Sequence, residues 1–160
     1  MRHSVLLNAY GVRLLQLERV GFVNIAFFLV PKDEVIYLSP NSTMRQALER
    51  MEYHRYSAVP LIGDDGKYVG TITEGDLLWK LKHEPQIGFD NTHKIQLKDV
   101  AQHMDIKPVR IDQQMQDLIL LATNQNYVPV IDDSEVFIGI IRRREIIDYC
   151  FKLWQAEQKV

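Results

Sequence analysis

The chain reads as an α+β protein built from two β-α-β-β-α units packed on each other. Three observations predict this. First, Val59–Leu78, VPLIGDDGKYVGTITEGDLL, returns as Val128–Ile147, VPVIDDSEVFIGIIRRREII, at a constant offset of 69 with no gap. Second, Val, Pro, Ile, Asp, Gly and Ile recur in register there, and most other positions keep their type: Leu61/Val130, Tyr68/Phe137, Val69/Ile138, Asp76/Glu145. Third, a unit of about 55 residues is too small to bury a satisfactory core alone, so two copies must cover each other's apolar sheet faces.

The elements follow in the same order in each copy. An extended stretch comes first, Val35–Leu38 or Val109–Ile111. A helix follows with Met44, Leu48 and Met51 on one face, or Met115, Leu118 and Leu121 in the second copy. Thr43 with Gln46 three residues on forms a capping box, and Asp112 is the expected N-cap of the second copy's helix. Two strands then flank an acidic turn, Gly63-Asp64-Asp65-Gly66 or Asp132-Asp133-Ser134. A second helix closes each unit, running on from Asp76 or from Glu145. The chain thus divides into an extension (1–23), a first repeat (24–81), a polar linker with Pro85 and Gly88 (82–97), a second repeat (98–152) and a tail (153–160).

Composition narrows the function. A net charge of −2 offers no general field for nucleic acid or anionic membrane, so anion binding must be local. The aromatics are not interleaved with Lys or Arg in a basic stripe. Arg13, Glu18 and Arg19 interrupt any secretory signal, and the apolar run Val20–Val30 is short of the roughly 20 residues that span a bilayer. Leu7, Tyr10, Leu14 and Leu17 recur at helical spacing in this extension. The lone Cys150 cannot form an internal disulfide, and a soluble cytoplasmic protein is expected. His3, His54, His83, His93 and His103 show no metal-ligand spacing, and no phosphate loop, GxGxxG or Gly-x-Ser-x-Gly occurs. No catalytic residue and no metal is expected.

The Val-Pro-apolar-apolar strand, the acidic turn and Gly-apolar-apolar-Thr-x-x-Asp leading into a helix, all duplicated, resemble tandem CBS domains of the free-standing bacterial or archaeal type. The resemblance covers roughly residues 24–152. It implies two repeats paired about a pseudo-twofold axis as a Bateman module, with clefts that take adenosine-containing ligands. AMP, ADP, ATP, S-adenosylmethionine and cyclic di-AMP are the implied candidates, with no separate cofactor. It also implies homodimers formed through the closing helices, or a regulated partner protein. The extension is either an upstream-start addition or a helix that packs on the module. Trp79 and Trp154 are interface anchors or core, and Ile146, Ile147, Cys150, Phe151 and Trp154 form core or a dimer seam.

The implied ligand-binding residues are Lys32, Tyr56, Ser57, Ala58, Pro60, Thr71, Thr73, Asp76, Asn126, Tyr127, Arg142, Arg143 and Arg144. Small residues before Val59-Pro60 leave room for a purine. Thr73 at a helix start can donate to a phosphate beside open amides, and an ionised Asp76 can accept from both hydroxyls of a ribose. Thr-x-x-Asp is equally a capping pattern that needs no ligand. In the second copy Arg142, Arg143 and Arg144 stand where the first has Thr-Glu-Gly, at the helix end that disfavours cations. A bound anion would compensate; so would pairing with Glu145 and Asp148 in a solvated patch. The expectation is a non-catalytic sensor of an adenine nucleotide, keeping its polar ends in the first cleft and positive charge in the second. The alternatives are an interaction module without a small ligand, and an enzyme that would lack an evident nucleophile.

Overall fold

The computed structural model describes residues 23–158. The expected helix of the extension lies outside the described residues. A 3-10 turn at Ile25–Phe28, capped by Asn24, leads into β1, Val30–Pro31. The first repeat continues with α1 (Met44–His54), β2 (Ala58–Ile62), β3 (Tyr68–Thr73) and α2 (Glu74–His83). The second has β4 (Val109–Arg110), α3 (Met115–Ala122), β5 (Tyr127–Ile131), β6 (Phe137–Arg142) and α4 (Arg143–Glu157). This is the expected α+β succession of two related units.

Local chemistry explains most of these boundaries. Thr43 and Gln46 form the expected capping box, with Thr43 N donating to Gln46 Oε1 at 2.8 Å and Gln46 N to Thr43 Oγ1 at 3.2 Å. In the acidic turns a carboxylate accepts from nearby amides: Asp65 from Lys67 N, and Asp132 from Ser134 N and Val136 N. Three expectations need correction. α3 is preceded by Gln114, whose N–H donates to Asp117, so Asp112 is not its cap. The closing helices begin at Glu74 and Arg143, two residues before the acids read as their starts. α4 also runs through much of the segment read as a tail, to Glu157.

The first strand is the larger departure. Of Val35–Leu38, only Leu38 makes a bridge, parallel to Leu61. The paired strand is Val30–Pro31, and it joins the other repeat's sheet, antiparallel to β6 with Val30 opposite Ile140 and Pro31 opposite Gly139. The resulting order is β1-β6-β5-β4, with β2 and β3 forming a separate hairpin. Apolar packing repeats the exchange. Ile25, fully buried, belongs to the second repeat's core with Val109, Met115, Leu118, Val128, Val130, Ile141 and Ile146. Leu97 and Val100, at the junction of the linker and the second repeat, complete the first repeat's core of Leu38, Met44, Ala47, Met51, Val59, Leu61, Ile72 and Leu77. Each repeat therefore has its own core, finished by the segment at the start of the other. This corrects the picture of two faces merely covering one another.

Glycine makes the first crossing possible and lets a side chain of the second approach closely. Gly139 has φ +155, and a side chain there would run into the Val30 carbonyl; Gly70, at φ +147, lies just as close to the Gln102 side chain. A third cluster, Val35, Ile62 and Phe137, joins the repeats, helped by the hydrogen bond from Phe137 N to Gly66 O at 2.9 Å. The linker is also used structurally. Its 3-10 turn Phe89–Lys94 docks on α1, with Arg45 donating to the Asp90 carbonyl at 2.8 Å.

Candidate functional site

A cavity of about 610 Å³ opens between the repeats, within the usual range for a small-molecule site. One wall comes from the first repeat: Glu34, Val35, Ile36, Arg55, Tyr56, Ser57, Ala58 and Pro60. The other comes from the second: Asn126, Tyr127, Ile140, Arg142, Arg143, Arg144 and Ile147. At the seam Asn126 Nδ2 donates to Ser57 Oγ at 3.2 Å. These two residues are repeat counterparts, 69 apart, so the bond joins equivalent points of the two halves.

Four arginines and one glutamate line the cavity, so its field is positive. The cations converge because α4 begins there. Arg142 is its N-cap residue and makes no capping hydrogen bond; Arg143 N donates to the Asn126 carbonyl at 3.0 Å, and no side-chain acceptor caps the helix's positive end. Arg143 is held in place by Nε donating to the Gln125 carbonyl at 2.8 Å. Arg144 reaches Glu145 at 3.4 Å, one of the pairings expected, while among the described residues no carboxylate lies within 4 Å of Arg142 or Arg143. Arg55 was not expected in this group. It ends α1 in the left-handed conformation, at φ 57, and no motif around it marks a binding role. Glu34, Val35 and Ile36 were missed for the same reason.

Nine of the expected residues thus come together: Tyr56, Ser57, Ala58, Pro60, Asn126, Tyr127, Arg142, Arg143 and Arg144. Four do not. Lys32 borders a separate, more open groove with Pro31, Asp33, Val35, Tyr37 and Val136–Ile138, its ammonium 5.4 Å above the Tyr37 ring. It is displaced because β1 carries this segment onto the second sheet.

The remaining three are hydrogen-bonded within the chain, and of the two readings of Thr-x-x-Asp the structure displays the cap. Thr73 and Asp76 make a capping box, with Thr73 N and Oγ1 donating to Asp76 Oδ2 at 2.8 and 2.7 Å. The other oxygen, Oδ1, accepts from His103 N at 2.9 Å and lies 3.0 Å from His103 Nδ1. Asp76 is only 2% exposed. Burial acts to raise its pKa, but the Thr73 and His103 hydrogen bonds outweigh that and hold the carboxyl below the ordinary value. Thr71 is likewise engaged. Its Oγ1 lies 2.6 Å from the Tyr127 hydroxyl and 2.8 Å from that of Tyr68, and its N–H donates to Gln102 Oε1 at 3.2 Å. Burial pushes the Tyr68 phenol up to about 12 and raises Tyr127 as well, so both are neutral hydrogen-bonding groups.

The family model of the CBS domain matches residues 29–83 and 97–152. The chain belongs to the CBS-domain family. Its CBS repeats are 31% identical, over 134 residues, to inosine-5'-monophosphate dehydrogenase of Methanocaldococcus jannaschii; the match covers 82% of this chain and 25% of that enzyme. They are 25% identical to the chloroplastic CBS domain-containing protein CBSX1 of Arabidopsis thaliana, covering 81% of this chain and 64% of that protein. The chain therefore spans only part of these two relatives. Among solved structures, CbpB in complex with c-di-AMP superposes with a TM-score of 0.74 at 20% identity, covering 91% of this chain and 95% of that one. CBSX2 in complex with AMP superposes with a TM-score of 0.65 at 23% identity, covering 81% and 97%. At such identities the likeness is one of fold, that of a Bateman module.

Among the described residues no cluster of potential metal ligands occurs, and no helix is long and apolar enough to cross a membrane.

Proposed function

We propose that this CBS pair is a non-catalytic regulatory module that binds an adenine nucleotide in the arginine-lined cavity between its repeats. The observation that carries the reading is the meeting of four arginines with the uncapped start of α4 in one cavity. Guanidinium groups and open helix amides are both phosphate-binding chemistry. The rest of the wall suits a base and sugar. Ser57 and Ala58 leave room beside the strand ends, Ile140, Ile147, Val35 and Pro60 supply apolar surface, and Tyr56 a ring edge.

Four arginines exceed what one phosphate needs, so a ligand with two or more is favoured. Cyclic di-AMP and ATP rank above AMP on this ground, and the cyclic dinucleotide bound by the structurally similar CbpB is the first to test. The signal would leave along α4. Ile147 lines the cavity, and Phe151 and Trp154 continue the same helical face at i+4 and i+7. These two rings stack at 5.8 Å and are more than half exposed. On α2, Leu78 and Trp79 are also exposed. Such surfaces suit a homodimer seam or a regulated partner, whose contacts would feel a ligand at the head of α4.

The test is thermal melting against AMP, ADP, ATP, S-adenosylmethionine and cyclic di-AMP. A true ligand at 100 times its dissociation constant adds about 2.7 kcal/mol. No shift with any of them at millimolar concentration would instead favour a module that works by protein contacts alone.

A further inference from the structure

Shifted back by 69 residues, the cavity residues Ile140, Arg142 and Ile147 become Thr71, Thr73 and Leu78. The counterpart end of the module is occupied by polar side chains of the chain itself. Gln102 Oε1 accepts from Thr71 N, and the side chain packs so close to Gly70 that a β-carbon there would push the Gln102 amide aside. His103 presents two donors to one carboxylate oxygen of Asp76: its backbone N–H at 2.9 Å and ring Nδ1 at 3.0 Å. An ionised carboxylate only accepts, so Nδ1 carries the proton. Two donors converging on one side of a carboxylate are also what the cis-diol of a ribose would present.

We propose that Gln102 and His103 form a built-in plug over Asp76, so that each chain binds one nucleotide rather than two. This rests on the reading of the arginine-lined cavity as a nucleotide site. The plug is well placed to persist without ligand, because a buried carboxylate left without donors is costly. It also lies at the surface: the His103 side chain is 51% exposed over an Asp76 side chain that is 1% exposed. Loss of the imidazole would therefore uncover the acid without dismantling a core. The segment comes from the start of the second repeat, where Leu97 and Val100 anchor it in the first repeat's core. The crossing that completes the first core thus also closes the first repeat's cleft.

Equilibrium dialysis with labelled AMP at millimolar concentration, counting nucleotides per chain, tests this. The wild type should bind one. Gln102→Ala/His103→Ala should bind two, and adding Asp76→Ala should return the count to one. His103→Ala alone, which keeps the backbone donor on Asp76, should show the same gain and serves if the double variant melts early. Two AMP on the wild type, or no gain on unplugging, would overturn the plug and leave the arginine cavity standing. No AMP on the wild type, with one on the unplugged chain through Asp76, would uphold the plug and remove AMP from the ligands of the arginine cavity. No AMP on either would overturn the plug and remove AMP from the ligands of the arginine cavity.

Discussion

Arg55 shows binding chemistry and stability in opposition at a single position. A non-glycine residue in the left-handed region costs about 1–2 kcal/mol, and Arg55 holds φ 57 with its side chain at the cavity. Arg55→Gly should stabilise the fold, by about 1 kcal/mol in urea denaturation, while weakening nucleotide binding several-fold. Better binding by the variant would remove Arg55 from the site. Asp76 makes the opposite case, an acid serving structure. Its pKa is lowered in the folded chain, so it contributes stability above the unfolded value of 3.8, and that stability is lost as pH falls through the folded value. Asp76→Ala should cost about 2–3 kcal/mol at neutral pH and flatten the acid limb of the stability curve. An unchanged limb would mean the Thr73 and His103 bonds are not worth what their geometry implies. The sequence showed that Thr-x-x-Asp could cap a helix or hold a ligand. It could not show which, because the deciding residue, His103, is 27 positions away in a stretch with no pattern.

The two closing helices begin differently, and this difference sets the chemistry of the two ends. α2 is capped by its own Thr73 and Asp76, whereas α4 starts on Arg142 with no side-chain cap. The substitution of Arg-Arg-Arg for Thr-Glu-Gly was visible in the repeat alignment. What it did not reveal is that the arginines line a cavity while Thr73 and Asp76 bond to each other, since that depends on β1 and the segment around Gln102 crossing between repeats. A two-residue strand carries almost no periodic signal, and its partner, Ile140, lies 110 positions away. The hairpins and α1 were readable because their turns and caps are made within a few residues. The glycines give the crossing a direct test. Gly139→Ala puts a β-carbon against the Val30 carbonyl at positive φ, which should destabilise by about 2–3 kcal/mol. Hydrogen exchange should rise first in β1 and β6. Exchange unchanged there would mean that β1 is not held by this pairing.

The assembled protein places its cavity on the seam between halves that each complete the other's core. A ligand there touches both repeats and the head of α4, and α4 carries its exposed aromatics away from the site. Replacing that stack, Phe151→Glu/Trp154→Glu, should leave the cavity intact and shift a dimer to monomer in analytical ultracentrifugation. A wild type that is monomeric with and without nucleotide would direct the signal to another protein. The most direct measurement of the central claim is calorimetric titration of cyclic di-AMP and ATP into wild type and Arg142→Ala. Losing one charge-assisted phosphate contact should weaken binding by about 1.5–3 kcal/mol, or roughly 10- to 100-fold. Equal affinity in both proteins, or no heat from either ligand with the wild type, would contradict it.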